Sequence, residues 1–277
     1  MPLPNFLIIG AAKAGTTSLY DWLRQHPAVF MPRLKEPGFF AYDPGRPDLG
    51  ITITTLEQYA ALFDGVMIET MVGEASTLYL SSTRAVDGIH ETLPGVRLIA
   101  ALRNPVERAY STYQMNLRNR GVNDGVPFLQ ALEAGSGLRR GYAAGLARYF
   151  ERFPRERICI VLFEEIAKNP LETVRGLFDF LGVDPGFAPD MVNVSNPGGL
   201  PKVKLLHNLL TSGAVRGFGR RVLPERFVAR ARDLRARNLR KQEMTQEERQ
   251  IAAVFFREDI QRTQDLIGRD LSAWLRA

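Results

Sequence analysis

Short apolar runs alternate with amphipathic segments along the first two thirds of the chain. The runs at 6–10, 71–76, 96–102 and 158–163 are nearly continuous, which is typical of strands buried on both faces. Helix-like patterns separate these runs. Strands that alternate with helices predict an α/β fold in which a central parallel sheet is flanked by helices.

The helix-like patterns continue beyond the last predicted strand. They cover 16–26, 82–93, 105–120, 141–153, 170–183, 224–239 and 246–267. The chain contains no internal repeat and no low-complexity tract. We therefore expect a single domain over 1–277, with a helical and basic C-terminal portion at about 204–277.

The stretch GAAKAGTTS, from Gly10 to Ser18, connects the first predicted strand to the first predicted helix. Such a connection exposes backbone N–H groups at a helix N-terminus, where anions bind. In a nucleoside-triphosphate loop a lysine directly follows the second glycine, but here Thr16 follows Gly15 and the lysine is Lys13. The anion-binding residues predicted in this loop are Lys13, Ala14, Gly15, Thr16, Thr17 and Ser18.

The end of the predicted strand at 96–102 is followed by Arg103, where a triphosphate-binding protein often has an acidic metal ligand. A site with a lysine and an arginine but no evident acidic ligand suits a sulfuryl group, which carries one negative charge where a phosphoryl group carries two. Pro105 then starts a helix, and Ser111 follows two turns later. Arg103 and Ser111 predict a second phosphate contact.

Two motifs in this order resemble those of sulfotransferases. IIGAAKAGTTSL, at 8–19, resembles the 5′-phosphosulfate loop of that family, and LRNPVERAYSTY, at 102–113, resembles its 3′-phosphate-binding segment. The similarity extends over most of the chain and is nearest to heparan-sulfate-type and related bacterial enzymes. It implies a P-loop-like three-layer fold and the donor 3′-phosphoadenosine 5′-phosphosulfate (PAPS).

The resemblance also implies a role for individual residues. Lys13 would hold the 5′-phosphosulfate and stabilise the bridging oxygen as the sulfur–oxygen bond breaks, while Arg103 and Ser111 would bind the 3′-phosphate. Glu36, in LKEPGFF, matches the glutamate that acts as the base in heparan-sulfate-type members, and Lys202 matches a basic loop that covers the nucleotide. Transfer would proceed in line, without a metal, and would yield a sulfate ester and 3′,5′-ADP, also called PAP (EC 2.8.2.-).

Two features leave the acceptor hydroxyl open among carbohydrates, lipids and secondary metabolites. The chain has one cysteine, so it lacks the cysteine pair of the glycosaminoglycan enzymes, and Ala75 and Ser76 stand where some relatives have a lysine. Other sulfotransferases use a histidine as the base. The three histidines of this chain, His26, His90 and His207, are better explained as packed or solvated side chains.

Charge and composition add expectations about partners and location. The segment 216–241 holds ten Lys and Arg against two acidic residues, whereas the whole chain has a net charge of +6. The segment therefore predicts contact with an anionic acceptor or surface, and a solvated helix face explains its charge equally well.

The lone Cys159 indicates a reducing compartment, and we find neither a secretory signal nor a membrane-spanning run, so we expect a cytoplasmic protein.

Two other functions are compatible with parts of the sequence. A nucleotide kinase or other NTPase would share the strand-loop-helix, but Thr16 and Arg103 stand where a lysine and a metal ligand are expected. A protein that binds nucleic acid or an anionic membrane could use 216–241. Phe218 and Phe227 are the only aromatic residues in that segment, which argues against single-stranded nucleic acid as a partner.

Overall fold

The computed structural model describes residues 2–46, 49–120, 126–135, 137–191, 200–201, 239–240 and 243–276. Lys202, His207 and residues 224–238 of the helix predicted at 224–239 lie outside the described residues, and Leu239 is in a strand. The basic segment 216–241 also lies outside them, apart from the backbone of two of its residues.

A five-stranded, all-parallel sheet forms the centre of the fold. Its strands are β1 (Phe6–Gly10), β2 (Val29–Phe30), β3 (Met71–Ala75), β4 (Arg97–Leu102) and β5 (Ile158–Leu162). Their order in the sheet is β2-β3-β1-β4-β5. A separate antiparallel pair joins β6 (Leu200–Pro201) to β7 (Leu239–Arg240). The predicted α/β fold with a central parallel sheet is confirmed, and the sequence pattern missed only the two-residue β2 among the five sheet strands.

The sheet is flanked by helices. Those found in the described residues are α1 (Thr16–Leu23), α2 (Leu56–Ala60), α3 (Thr83–Thr92), α4 (Pro105–Arg120), α5 (Phe128–Glu133), α6 (Ala143–Arg152), α7 (Phe163–Lys168), α8 (Pro170–Leu181), α9 (Gln246–Val254), α10 (Arg257–Ile267) and α11 (Ser272–Leu275). None of these helices has the length and apolar character needed to cross a lipid bilayer.

One predicted helix is divided in the structure. The pattern at 246–267 predicts a continuous helix, but α9 ends before Phe255 and α10 begins after Phe256. Phe256 is buried in the core, and the carboxylate of Asp259 accepts hydrogen bonds from the backbone N–H groups of Tyr142 and Ala143 at the start of α6. These contacts with distant residues favour a break that helical periodicity alone does not indicate.

The strand order determines where a ligand site can form. β1 is central and its side chains from Phe6 to Ile9 are completely buried. The chain adds β3 and β2 on one side of β1, and then β4 and β5 on the other. A crevice forms at the carboxyl ends of strands where the strand order reverses in this way, here between β1 and β4. The loop at 10–18 and Arg103 follow these two strands directly.

Candidate functional site: an anion-binding cleft

A cleft of about 810 Å³ opens at the carboxyl ends of β1 and β4. Lys13, Gly15, Thr16, Thr17 and Ser18 line it from the first loop and α1. The structure brings Arg103, Ser111 and Glu36 to the same cleft, although Glu36 is far from the others in sequence. Ala14 is completely buried and does not contribute a side chain to the lining. The predicted site residues that the structure describes therefore come together in one place.

The loop after β1 presents a helix N-terminus to the cleft. Gly15 precedes α1 with a φ of 88°, in the left-handed region, and a Cβ at this position would lie 3.0 Å from the Ile166 side chain. No side-chain cap hydrogen bond to the start of α1 is found in the described part of the chain. The first N–H groups of α1 and the positive end of its dipole are thus available to an anion.

Lys13 is a poorly compensated cation in this loop. Its Nζ lies 3.9 Å from Met115 Sδ, and no ion pair to Lys13 forms among the described residues. Burial lowers the pKa of Lys13 from its ordinary value, and the nearby Arg118 and Arg103 lower it further. The charged form would therefore gain stability from an anion in the cleft.

Arg103 is oriented by four contacts. Its Nη1 donates to the Lys13 carbonyl oxygen at 3.3 Å, and its Nη2 lies 3.5 Å from Glu107 Oε2. The guanidinium carbon lies 4.5 Å from the centroid of the Phe163 ring. The Tyr142 hydroxyl donates to the Arg103 carbonyl oxygen at 2.7 Å. Burial lowers the pKa of Arg103, and Glu107 opposes that effect. These contacts hold the guanidinium beside the anion-binding loop.

Four further charged residues of the cleft were not singled out from the sequence: Lys35, Glu107, Glu243 and Arg249. Arg249, on α9, forms an ion pair with Glu107, which lies one turn before Ser111 on α4. Glu107 therefore pairs with both Arg103 and Arg249. Arg103 and Glu107 are four residues apart, a spacing at which opposite charges often pair, so the sequence could have indicated the Arg103–Glu107 pair. The second pair joins residues 142 positions apart and has no local sequence signal.

Glu36 is held firmly beside the end of β3, which neighbours β1 on the side away from β4. Its backbone has a φ of 61°, which is uncommon for a residue other than glycine, and its N–H donates to the Ala75 carbonyl oxygen at 2.9 Å. Its Oε2 accepts hydrogen bonds from Thr77 N at 2.7 Å and Thr77 Oγ1 at 3.0 Å. Its Oε1 lies 2.7 Å from Lys35 Nζ. These contacts orient the carboxylate, in addition to the stiffening expected from Pro37.

The described histidines lie away from the cleft. His26 is buried, its Nδ1 accepts from Ala28 N at 3.1 Å, and its Nε2 lies 3.1 Å from the Asp184 carbonyl oxygen. His90 is exposed on α3 and its ring contacts Phe153 edge-on. Neither ring lines the cleft. Over the same described residues, no group of three or more His, Cys, Asp or Glu side chains could hold a metal ion.

The fold and this cleft define an α/β protein with a cation-lined cleft at a strand-order reversal. Residues 4–188 match the sequence model of the Sulfotransferase family, and the chain belongs to that family.

Individual relatives agree with this assignment. Heparan sulfate glucosamine 3-O-sulfotransferase 6 of Mus musculus is 32% identical over 197 residues, covering 65% of this chain and 52% of the relative. Carbohydrate sulfotransferase 15 of Homo sapiens is 28% identical over 259 residues, covering 66% of this chain and 44% of the relative. The chain thus spans about half the length of the curated relatives it matches.

Solved structures show the same fold. The crystal structure of a sulfotransferase from Alicyclobacillus acidocaldarius is 31% identical, with a TM-score of 0.75 over 100% of both chains. Mouse sulfotransferase SULT7A1, solved in complex with PAP, is 12% identical, with a TM-score of 0.54 over 94% of this chain and 86% of that chain. At that identity the second similarity concerns the fold alone.

Proposed function

We propose that the protein transfers a sulfuryl group from PAPS to an acceptor hydroxyl. The observation that carries this proposal is the convergence in one cleft of Lys13 at a helix N-terminus, Arg103 with Ser111, and the carboxylate of Glu36. The cations of the cleft suit the phosphates of a donor nucleotide, and the carboxylate of Glu36 suits the proton of an acceptor. The volume of about 810 Å³ falls in the range of small-molecule sites.

The first-loop residues would bind the donor at its transferred end. PAPS supplies a sulfuryl group whose bond to the 5′-phosphate oxygen breaks as a bond to the acceptor oxygen forms. Lys13 would neutralise the negative charge that develops on that phosphate oxygen. The N–H groups of Gly15, Thr16 and Thr17 would bind the same phosphate at the N-terminus of α1. Membership of the Sulfotransferase family supports a nucleotide donor of this class.

The 3′-phosphate would bind near the end of β4. Arg103 provides a planar guanidinium and Ser111 a hydroxyl, and both line the cleft. Arg249 adds a second guanidinium through Glu107. Two guanidinium groups that share one carboxylate keep a net positive charge, which favours a phosphate beside them. Lys202, the other residue predicted to cover the nucleotide, lies outside the described residues.

Glu36 would act as the general base. Its carboxylate lines the same cleft as Lys13 and Arg103 and would take the proton of the acceptor hydroxyl as the new sulfur–oxygen bond forms. The names of the two curated relatives refer to heparan sulfate glucosamine and to carbohydrate, which supports a sugar hydroxyl among the possible acceptors. Lipid and secondary-metabolite hydroxyls stay predicted alternatives for the acceptor. The single domain over 1–277 and the cytoplasmic location also stay predictions.

Nucleotide selectivity tests the donor site. We expect 3′,5′-ADP to bind more tightly than 5′-AMP by about 1.5–3 kcal/mol, or roughly 10- to 100-fold in Kd, because charged contacts to the 3′-phosphate have this strength. Arg103→Gln should remove most of that preference. Isothermal titration calorimetry with both nucleotides measures it, and Arg152→Gln, at an exposed arginine outside the cleft, is the matched control. Equal affinities in the wild type would refute the assignment.

Arg249 provides a finer test of the same site. Arg249→Gln should weaken 3′,5′-ADP binding by a few-fold and leave 5′-AMP binding unchanged, because a partly exposed cation is screened by solvent. The control is Arg262→Gln on α10, where the arginine is exposed and pairs with Glu258. An equal loss for both nucleotides would mean that Arg249 supports α9 and does not contact the phosphate.

A further inference from the structure

A second carboxyl group lies behind the candidate base. Glu74, on β3, is completely buried. The Tyr59 hydroxyl donates to its Oε1 at 3.2 Å, and the Ser76 hydroxyl donates to its Oε2 at 2.8 Å. In the described part of the chain no lysine or arginine forms an ion pair with it. A buried carboxyl without a cation is costly to ionise, and this cost suggests that Glu74 serves the site and not only the stability of the fold.

The chain just after Glu74 contacts the base loop at three points. Ser76 Oγ accepts a hydrogen bond from Gly38 N at 2.9 Å. The Ala75 carbonyl oxygen accepts from Glu36 N, and Thr77 donates to the Glu36 carboxylate. Glu36 and Gly38 both have left-handed backbone, with φ values of 61° and 70°, so these contacts maintain an unusual local conformation. Glu74 is therefore linked to the loop of the base through the Ser76 hydroxyl.

The two hydrogen bonds that Glu74 accepts depend on its ionisation, and the Tyr79 hydroxyl, which also faces Glu74, forms no hydrogen bond within the described residues. A carboxylate accepts from the Tyr59 and Ser76 hydroxyls at once, as the structure shows. A protonated Glu74 carries a donor on one oxygen, so either Tyr59 or Ser76 would have to turn its proton elsewhere. Loss of the bond to Glu74 would free the Ser76 side chain to leave the rotamer in which its Oγ accepts from Gly38 N. The protonation state of Glu74 thus changes how the base loop is held.

One carboxylate and three tyrosines surround Glu74. Burial raises the pKa of Glu74 to about 7, hydrogen bonds from the surrounding hydroxyls oppose that rise, and the charge of Glu36 adds to it. Tyr59 on α2, Tyr79 after β3 and Tyr149 on α6 also face it, and burial raises the pKa of each, so all three are neutral near pH 7. Among the described residues, Glu36 is the charged group that acts on Glu74.

We infer that Glu74 is a positioning residue: through Ser76 it holds the Glu36 loop in its working geometry, and sulfuryl transfer increases as Glu74 ionises. The inference rests on the proposed function. It concerns the control of the base and not the binding of the donor, so the affinity for 3′,5′-ADP should not depend on Glu74.

The test is the pH dependence of kcat, with labelled PAPS and an acceptor found by screening hydroxyl compounds. The wild type should show a rise in kcat with a midpoint of about 7. In Glu74→Gln this rise should disappear and the plateau should fall by roughly 10- to 100-fold, the scale for a misplaced reacting group. The Kd for 3′,5′-ADP should stay unchanged. Glu91→Gln, at an exposed glutamate on α3, is the control.

Ser76→Ala is a second variant, useful if Glu74→Gln does not fold. Ser76→Ala removes the hydroxyl through which Glu74 contacts the base loop, so the rise in kcat should disappear although Glu74 itself is kept. A purely structural role of Ser76 would lower kcat at every pH and keep the rise, and Ser81→Ala, at an exposed serine, should leave the whole profile unchanged. A pH profile that is unchanged in both variants overturns the inference while the proposed function stands. A wild type without any transfer from PAPS refutes the proposed function, and the inference falls with it.

Discussion

Lys13→Met should lower sulfuryl transfer by about 10²-fold or more, the scale for removing one group that stabilises charge in the transition state. The reason is the position of Lys13 in the cleft, where no carboxylate among the described residues pairs with its charge. Methionine keeps an unbranched side chain on the left-handed backbone at this position, so the fold should persist. Single-turnover transfer from labelled PAPS measures the effect, and circular dichroism checks the fold.

Lys168→Met is the matched control for this variant. Lys168 is exposed in the last turn of α7 and does not line the cleft, so the same substitution there should leave transfer unchanged. A Lys13→Met protein that keeps near-normal turnover would contradict the central assignment. A loss that appears only in KM would instead mean that Lys13 binds donor and transition state equally well.

Glu36→Gln should lower kcat by roughly 10²- to 10⁴-fold, the usual contribution of a general base. Glutamine keeps the size of the side chain and an oxygen that can accept from Thr77, but it cannot take up the acceptor proton. Because Glu36 is bonded to the chain at the end of β3, whereas Arg103 and Ser111 follow β4 on the other side of β1, the Kd for 3′,5′-ADP should not change. Steady-state kinetics and calorimetry on the same preparation separate the two quantities.

Glu57→Gln on α2 is the control for the base, since Glu57 is exposed and outside the cleft. A Glu36→Gln protein with wild-type kcat would show that another group accepts the proton. The sequence alone would make His90 the first alternative base. The structure argues against it, because His90 is exposed on α3 and does not line the cleft. The next variant to test would therefore be at His207, which lies outside the described residues.

The sequence by itself determined the features that depend on neighbours along the chain. The strand-loop-helix around Lys13 follows from an apolar run, small residues and a helical pattern in direct succession. The start of α4 at Pro105, eight residues after the start of β4, is equally local. Parallel strands end at one edge of a sheet, so the alternation of strands and helices along the chain is enough to bring the loop and Arg103 together. Glu36 was identified only through its resemblance to a family position.

The tertiary structure decided the features that depend on distant contacts. No spacing rule connects Arg249 to Glu107, 142 residues away, or Glu74 to the loop of Glu36, and these pairs exist because packing of the sheet and helices brings them together. The break between α9 and α10 has the same origin, since burial of Phe256 and capping of α6 by Asp259 outweigh helical periodicity. Local propensities are small energies, and burial and hydrogen bonding between distant segments overrule them where the two conflict.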